Sequence, residues 1–110
     1  MQLKITRDPE RLTAALIGEL DHHTAGEVRE KIDAAILEGR CQQLVLDLSG
    51  LTFMDSSGIG LIMGRYRLIR SLGSTMRLCG ATKRMETVLR LAGMEKLPIW
   101  ETNTERMPSP

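Results

Sequence analysis

Cysteine, net charge and long apolar runs are all scarce in this chain, and each shortage removes a class of function. Two cysteines occur in 110 residues, Cys41 and Cys79, far apart and without a CxxC or Cys/His spacing. Redox and zinc chemistry therefore lack support, and both thiols are expected to stay reduced as small structural hydrophobes. The formal net charge is +1 and no basic run stands out, so there is no footprint for nucleic acid. No apolar stretch approaches the roughly 20 residues that span a bilayer. The start, Met1-Gln2-Leu3-Lys4-Ile5-Thr6-Arg7-Asp8, alternates and carries charge, unlike a signal peptide. The expectation is a cytoplasmic protein with no membrane and no nucleic-acid partner. Internal repeats and low-complexity segments are absent too. What is present, 42% hydrophobic and 26% charged residues, suits one soluble globular domain.

Periodicity sets out the elements. Leu3 and Ile5 alternate with Lys4 and Thr6, then Ala14, Leu16 and Leu20 share a face of a second strand over Thr13–Leu20. Asp8-Pro9 turns between them, which predicts an antiparallel hairpin with the first strand at an edge. Thr24-Ala25-Gly26-Glu27 fits a capping box, and Val28, Ile32, Ala35 and Ile36 follow at helical spacing up to Gly39. Glu27 and Lys31 form an i,i+4 pair. Gln43–Leu48 is almost wholly apolar, as in a central strand covered on both faces, and Ser49-Gly50 reads as the turn that ends it. A second helix is predicted from about Ser57 to Leu72, with Ile59, Ile62, Met63, Tyr66 and Ile69 inward. Thr75–Cys79 reads as a strand, and Lys83–Ala92 as a helix with Met85, Val88, Leu89 and Ala92 inward. Leu97-Pro98-Ile99-Trp100 reads as an edge strand, and Glu101–Pro110 as a frayed tail. The order ββαβαβαβ predicts an α/β fold, a mostly parallel sheet with an antiparallel N-terminal edge strand, flanked by helices.

In such a sheet the loops after the parallel strands emerge at one edge, where ligands gather. Asp21-His22-His23-Thr24, Asp55-Ser56-Ser57 and Gly80-Ala81-Thr82-Lys83 are expected to line that edge. A serine at a helix start sits beside unpaired N–H groups and the positive end of the dipole, a place that tolerates a phosphate. Asp55, Ser56 or Ser57 serves equally well as an ordinary N-cap, and spacing does not choose between cap and switch. Adjacent His22 and His23 cannot easily both face one metal, so no metal site is expected. Asp21, a histidine and Ser56 contain the residue types of a hydrolase triad. A nucleophile elbow, however, needs a glycine two residues before the serine, where Met54 stands. Gly58-Ile59-Gly60 without a third spaced glycine is no dinucleotide fingerprint. The chain is expected to be neither an enzyme nor a cofactor binder.

Gly18-Glu19-Leu20-Asp21-His22-His23-Thr24, Phe53-Met54-Asp55-Ser56-Ser57-Gly58 and Gly64-Arg65-Tyr66 together resemble the anti-sigma-factor antagonists of the STAS domain family. The resemblance covers about residues 3–100, and Asp-His-His-Thr with Gly-Arg-Tyr resembles the sporulation type, which antagonises the anti-sigma F factor. It implies a STAS fold and a partner-switching cycle. The unphosphorylated antagonist binds a serine kinase that is also the anti-sigma factor, and frees the sigma factor. Phosphorylation then dissolves the complex, and a serine phosphatase restores the antagonist. The residue that matches the family's phosphorylated serine is Ser56, and Asp21 matches a residue near that site. The implied partner surface is Asp21, His22, His23, Thr24, Asp55, Ser56, Ser57 and Gly58, with no catalytic residue. Within the same fold, an antagonist for a stress-response sigma factor or a STAS subunit of another complex are the alternatives; a small serine hydrolase using Ser56 is the remote one. Residues 1–100 are expected to form the domain and 101–110 a tail, in which Thr104-Glu105-Arg106-Met107 leaves room for one turn where relatives carry a final helix.

Overall fold

One carboxylate ties the first turn: Asp8 Oδ1 accepts the N–H groups of Glu10 at 2.8 Å and Arg11 at 2.7 Å. In the computed structural model, which describes residues 1–100, this turn joins β1 (Gln2–Arg7) to β2 (Arg11–Leu20). The pair is antiparallel, with Leu3 opposite Leu16 and Ile5 opposite Ala14. β3 (Gln43–Met54) and β4 (Thr75–Cys79) add in parallel, giving the spatial order β1-β2-β3-β4. The crossovers are α1 (Ala25–Glu38) and α2 (Ser56–Ser71); α3 (Lys83–Leu89) follows β4. The predicted α/β architecture with its antiparallel N-terminal edge strand is the observed one.

The core lies on one face of the sheet. Leu12, Ala14 and Leu16 of β2, Leu44, Leu46 and Leu48 of β3, and Met76 and Leu78 of β4 pack with Val28, Ile32 and Ile36 of α1 and Leu61, Ile62 and Ile69 of α2. Each fully buried side chain of this size contributes about 1.5–3 kcal/mol. Strand alternation sends Thr13, Ala15, Val45, Asp47 and Arg77 to the opposite face, and Asp47 there is half-buried. The expected cover on both faces of β3 is not found among the described residues; Val45 is buried outside the main cluster, with Thr13 and Arg77 as its cross-strand neighbours.

Three further boundaries differ from expectation. β3 does not stop at Ser49-Gly50 but continues to Met54, because register shifts between Ala15 and Ile17 and between Gly18 and Glu19 absorb the extra residues as bulges. The helix after β4 ends at Leu89 in a wider π-type turn over Arg90–Met94, closed by Gly93 at φ 103°. Leu89 and Met94 are buried, whereas Val88 and Ala92, expected inward, are exposed. The predicted last strand shrinks to a single bridge from Leu78 to Trp100, with Leu78 N–H donating to the Ile99 carbonyl at 2.7 Å. Pro98 has no N–H with which to extend that ladder. Trp100 Nε1 donates to the Met94 carbonyl at 2.9 Å and lies under the Arg90 guanidinium, which pins the segment. The single turn expected at Thr104–Met107 lies outside the described residues.

Candidate functional site

The end of β3 and the start of α2 decide what each residue of Asp55-Ser56-Ser57-Gly58 does. Asp55 holds extended backbone as the N-cap, and its Oδ1 accepts Ser57 N–H at 2.8 Å. Its own N–H donates to the Leu20 carbonyl at 3.2 Å, tying the helix start to the end of β2. The cap role is thereby filled by a carboxylate, the charge that the helix dipole favours at this end. Ser56 is the first helical residue, exposed, and its hydroxyl has no hydrogen-bond partner among the described residues. Ser57 is half-buried at the next position.

Gly58, expected on the partner surface, is instead buried. A Cβ there would stand 2.3 Å from Met54 Cγ and 3.1 Å from Leu20 Cδ2. Its lack of a side chain lets the first turn of α2 rest on the ends of β2 and β3, which orients Ser56 outward.

The loop after β2 folds around Asp21. Its Oδ1 accepts from His23 N–H at 2.9 Å, Thr24 N–H at 3.1 Å and the Thr24 hydroxyl at 3.2 Å. Partial desolvation pushes the carboxyl up, but these hydrogen bonds and the His23 charge outweigh it, so its pKa lies below the ordinary value. Thr24 makes no side-chain cap to α1; its hydroxyl is engaged with Asp21 and the Glu19 carbonyl. The capping box read from the sequence is therefore not formed, whereas the Glu27–Lys31 pair is, at 3.0 Å. The His22 and His23 ring centroids lie 3.9 Å apart with the planes tilted by 39°, and His22 Nδ1 lies 3.8 Å from Asp55 Oδ2. That contact joins the two loops and is an ion pair when the imidazole is protonated.

The third loop makes no polar contact with the other two among the described residues, although Thr82 lines a cavity with Phe53 and Met54 at the end of β3. β4 pairs with β3 only up to Asp47 opposite Cys79, so the chain leaving β4 meets the middle of β3: a Cβ on Gly80 would lie 2.6 Å from Ser49 N. Lys83, expected at the shared edge, makes no ion pair with Asp21 or Asp55 among the described residues. Arg65, quoted from the sequence only within Gly64-Arg65-Tyr66 and given no site role there, is 7% exposed with Nε 2.8 Å from Asp33 Oδ1 on α1. Its signal was positional, since it shares the buried stripe Leu61, Ile62, Arg65, Ile69.

The described residues contain no group of three or more His, Cys, Asp or Glu arranged to hold a metal ion, and no helix long and apolar enough to cross a membrane. Comparison with known proteins then places this geometry. The STAS domain model matches residues 2–106. The anti-sigma F factor antagonist of Paenibacillus polymyxa is 40% identical over 110 residues, covering 97% of this chain and 94% of that protein. The one from Lysinibacillus sphaericus is 39% identical over 85 residues, 77% of this chain and 73% of its own. The anti-sigma-B factor antagonist of Listeria monocytogenes is 28% identical over 92 residues, 83% of this chain and 79% of its own. Among solved structures, the unphosphorylated anti-sigma factor antagonist SpoIIAA superposes with a TM-score of 0.78 at 29% identity, over 96% of this chain and 92% of that one. SpoIIAA of Bacillus in its phosphorylated form gives a TM-score of 0.73 at 30% identity, over 96% of both chains.

Proposed function

The chain belongs to the STAS domain family, and on that footing we propose that it is an anti-sigma F factor antagonist switched by phosphorylation of Ser56. The observation that carries this reading is the division of labour at the start of α2. Asp55 caps the helix, so the Ser56 hydroxyl is exposed, unpaired and free to be modified without loss of a structural bond. Unphosphorylated, the protein binds an anti-sigma factor that is a serine kinase and releases the sporulation sigma factor. The surface it offers is Asp21, His22, His23, Thr24, Asp55, Ser56 and Ser57. Phosphate transferred from ATP to Ser56 ends the complex, and a serine phosphatase renews the antagonist.

The sporulation type is favoured over a stress-response antagonist by likeness, since relatives named for sigma F share more identity with this chain than those named for sigma B. A serine hydrolase would need a base on Ser56, yet His22 faces Asp55 instead. A phosphoserine carries about −1.5 to −2 charges at pH 7. With Asp21 and Asp55 beside it, the phosphate acts by repulsion and bulk at the interface while the fold persists. The likeness of this chain to SpoIIAA in both phosphorylation states supports a local switch.

Mixing the chain with its cognate anti-sigma kinase, first with ADP and then with ATP, tests the reading. A stable complex in ADP and its loss in ATP, with phosphate located on Ser56 by peptide mass, are expected. Ser56→Ala should bind and resist release; Ser56→Asp should bind weakly. Phosphate on Ser57 alone would overturn the site assignment, and widespread core changes in the amide spectrum on phosphorylation would overturn the local switch.

A further inference from the structure

The two oxygens of Asp55 face different neighbours. Oδ1 accepts the Ser57 N–H at 2.8 Å and caps α2, whereas Oδ2 lies 3.8 Å from Nδ1 of His22 on the loop after β2. At that separation a neutral imidazole forms no hydrogen bond, so the contact gains energy only when the ring carries a proton. Imidazole is also the side chain whose ordinary titration falls between about pH 5 and 8. The helix start that presents Ser56 is therefore joined to the loop after β2 by a contact that depends on pH.

The charged groups around His22 come from three elements. Its own loop supplies His23, with a ring centroid 3.9 Å away, and Asp21. Asp21 commits Oδ1 to the His23 and Thr24 N–H groups and the Thr24 hydroxyl, and its carboxyl is ionised throughout the range in which an imidazole titrates. The start of α2 supplies Asp55. The acid in the first turn of α1, Glu27, is paired with Lys31 at 3.0 Å. Neither Asp21 nor Asp55 has a lysine or arginine as ion-pair partner among the described residues. A protonated imidazole is thus the cation available to these carboxylates, and to any further anion placed beside them.

We infer that His22 is a proton-dependent counter-ion for a phosphate on Ser56, so that the phosphorylation switch is graded by pH. The inference rests on the reading of Ser56 as the acceptor. Ser56 follows Asp55 directly, and consecutive Cα atoms are about 3.8 Å apart. A phosphate there acts on the same ring over roughly one Debye length, about 8 Å at physiological ionic strength. Its second ionisation falls near pH 6, so phosphate and imidazole titrate in one window and the effect is mutual. The dianion holds the proton on the ring, and the charged ring eases loss of the phosphate's second proton. Above about pH 7.5 the neutral ring offsets nothing, and the phosphate stands unopposed beside Asp21 and Asp55. Near pH 6 the imidazolium softens that repulsion, and release of the partner weakens.

Proton spectra of the full chain, with and without phosphoserine genetically encoded at position 56, follow the His22 ring against pH, and phosphorus spectra follow the phosphate. The His22 midpoint is expected to rise with the phosphate by about half a unit to one unit, roughly a three- to tenfold gain in proton affinity, and by more than that of His23. His22→Gln should raise the midpoint of the phosphate by a similar amount. Both shifts should shrink in about 1 M sodium chloride, where the Debye length falls to about 3 Å. In the unphosphorylated chain, Asp55→Asn should lower the His22 midpoint. A His22 midpoint unmoved by the phosphate, a larger response at His23, or a phosphate midpoint unchanged in His22→Gln would each overturn the coupling. Encoding the phosphoserine separates the two readings: if kinase and ATP label another residue, the acceptor assignment falls, and the titrations still decide the coupling.

Discussion

Replacing Asp55 and Ser56 separately distinguishes the helix cap from the phosphate acceptor by stability alone. Asp55→Ala removes the acceptor of the 2.8 Å bond from Ser57 N–H. Loss of such a cap costs about 1 kcal/mol, within a range of about 0.5–2. Loss of a carboxylate at the positive end of the dipole adds about 0.3–1 kcal/mol. Asp55→Asn keeps a capping oxygen and loses only the second contribution. Ser56→Ala removes an exposed hydroxyl without a partner, so its effect should stay within about 0.5 kcal/mol of zero. The expected order of destabilisation is Asp55→Ala, then Asp55→Asn, then Ser56→Ala. For a domain near this size, about 1 kcal/mol corresponds to about 4–8 °C in melting temperature. Urea titrations of the three variants measure it, with midpoints compared at unchanged slope. If Ser56→Ala lost as much as Asp55→Ala, the hydroxyl would be the true cap, and the premise that it is free for modification would fall.

Other expectations rest on single contacts. Gly58→Ala should destabilise by about 1–3 kcal/mol through overpacking, because its Cβ would meet Met54 Cγ at 2.3 Å. Met54→Ala in the same chain should recover part of that loss in the same urea titration, and a merely additive double variant would count against the packing role. Asp33→Ala leaves Arg65 buried beside Arg29 with no carboxylate, and should cost about 2–4 kcal/mol, less than a fully buried pair because Asp33 is partly exposed; a neutral effect would show the pair to be idle. Asp21 has a folded pKa below its ordinary 3.8, so its stabilising contribution is complete above that value and disappears as pH falls through the folded pKa. The stability gap between the parent and Asp21→Asn should therefore be constant near neutrality and close only below about pH 4; a gap that widened on acidification would contradict the depressed pKa.

The strands and helices were legible wherever periodicity alone decides them. Leu3 and Ile5 against Ala14 and Leu16, the stripe Val28-Ile32-Ala35-Ile36, and Thr75–Cys79 all fell where alternation put them. Illegible features were those in which tertiary pairing overrides a local sign. Ser49-Gly50 carries turn chemistry, but β2 extends far enough to keep pairing, and the extra residues become bulges. Thr24 has a capping residue's chemistry, yet Asp21 engages its hydroxyl first. Topology correctly brought His22 beside Asp55, but it could not show that β3 outruns β4, which sets Gly80 against Ser49 and lets only Thr82 reach a cavity shared with Phe53 and Met54. Gly64-Arg65-Tyr66 carried the resemblance, but the burial of Arg65 was not legible, because its carboxylate partner Asp33 lies on the neighbouring helix.

The magnitudes also explain why one phosphate would end binding without ending the fold. Repulsion between two exposed unit charges at 5 Å in water is about 0.8 kcal/mol. A dianion near Asp21 and Asp55 thus adds at most a few kcal/mol of strain, and the helix start returns about 0.3–1 kcal/mol of it. A domain with a stability of about 5–15 kcal/mol survives such a balance. An interface does not have that margin. Closing a partner over Ser56 would take the dianion out of water beside two carboxylates, and an uncompensated buried charge costs about 3–5 kcal/mol. At 1.4 kcal/mol per factor of ten, that is roughly a hundredfold to a thousandfold or more in affinity. The same charge would therefore be tolerable in the free protein and prohibitive in a complex closed over Ser56, because Asp55 has taken the capping role and left Ser56 on the surface.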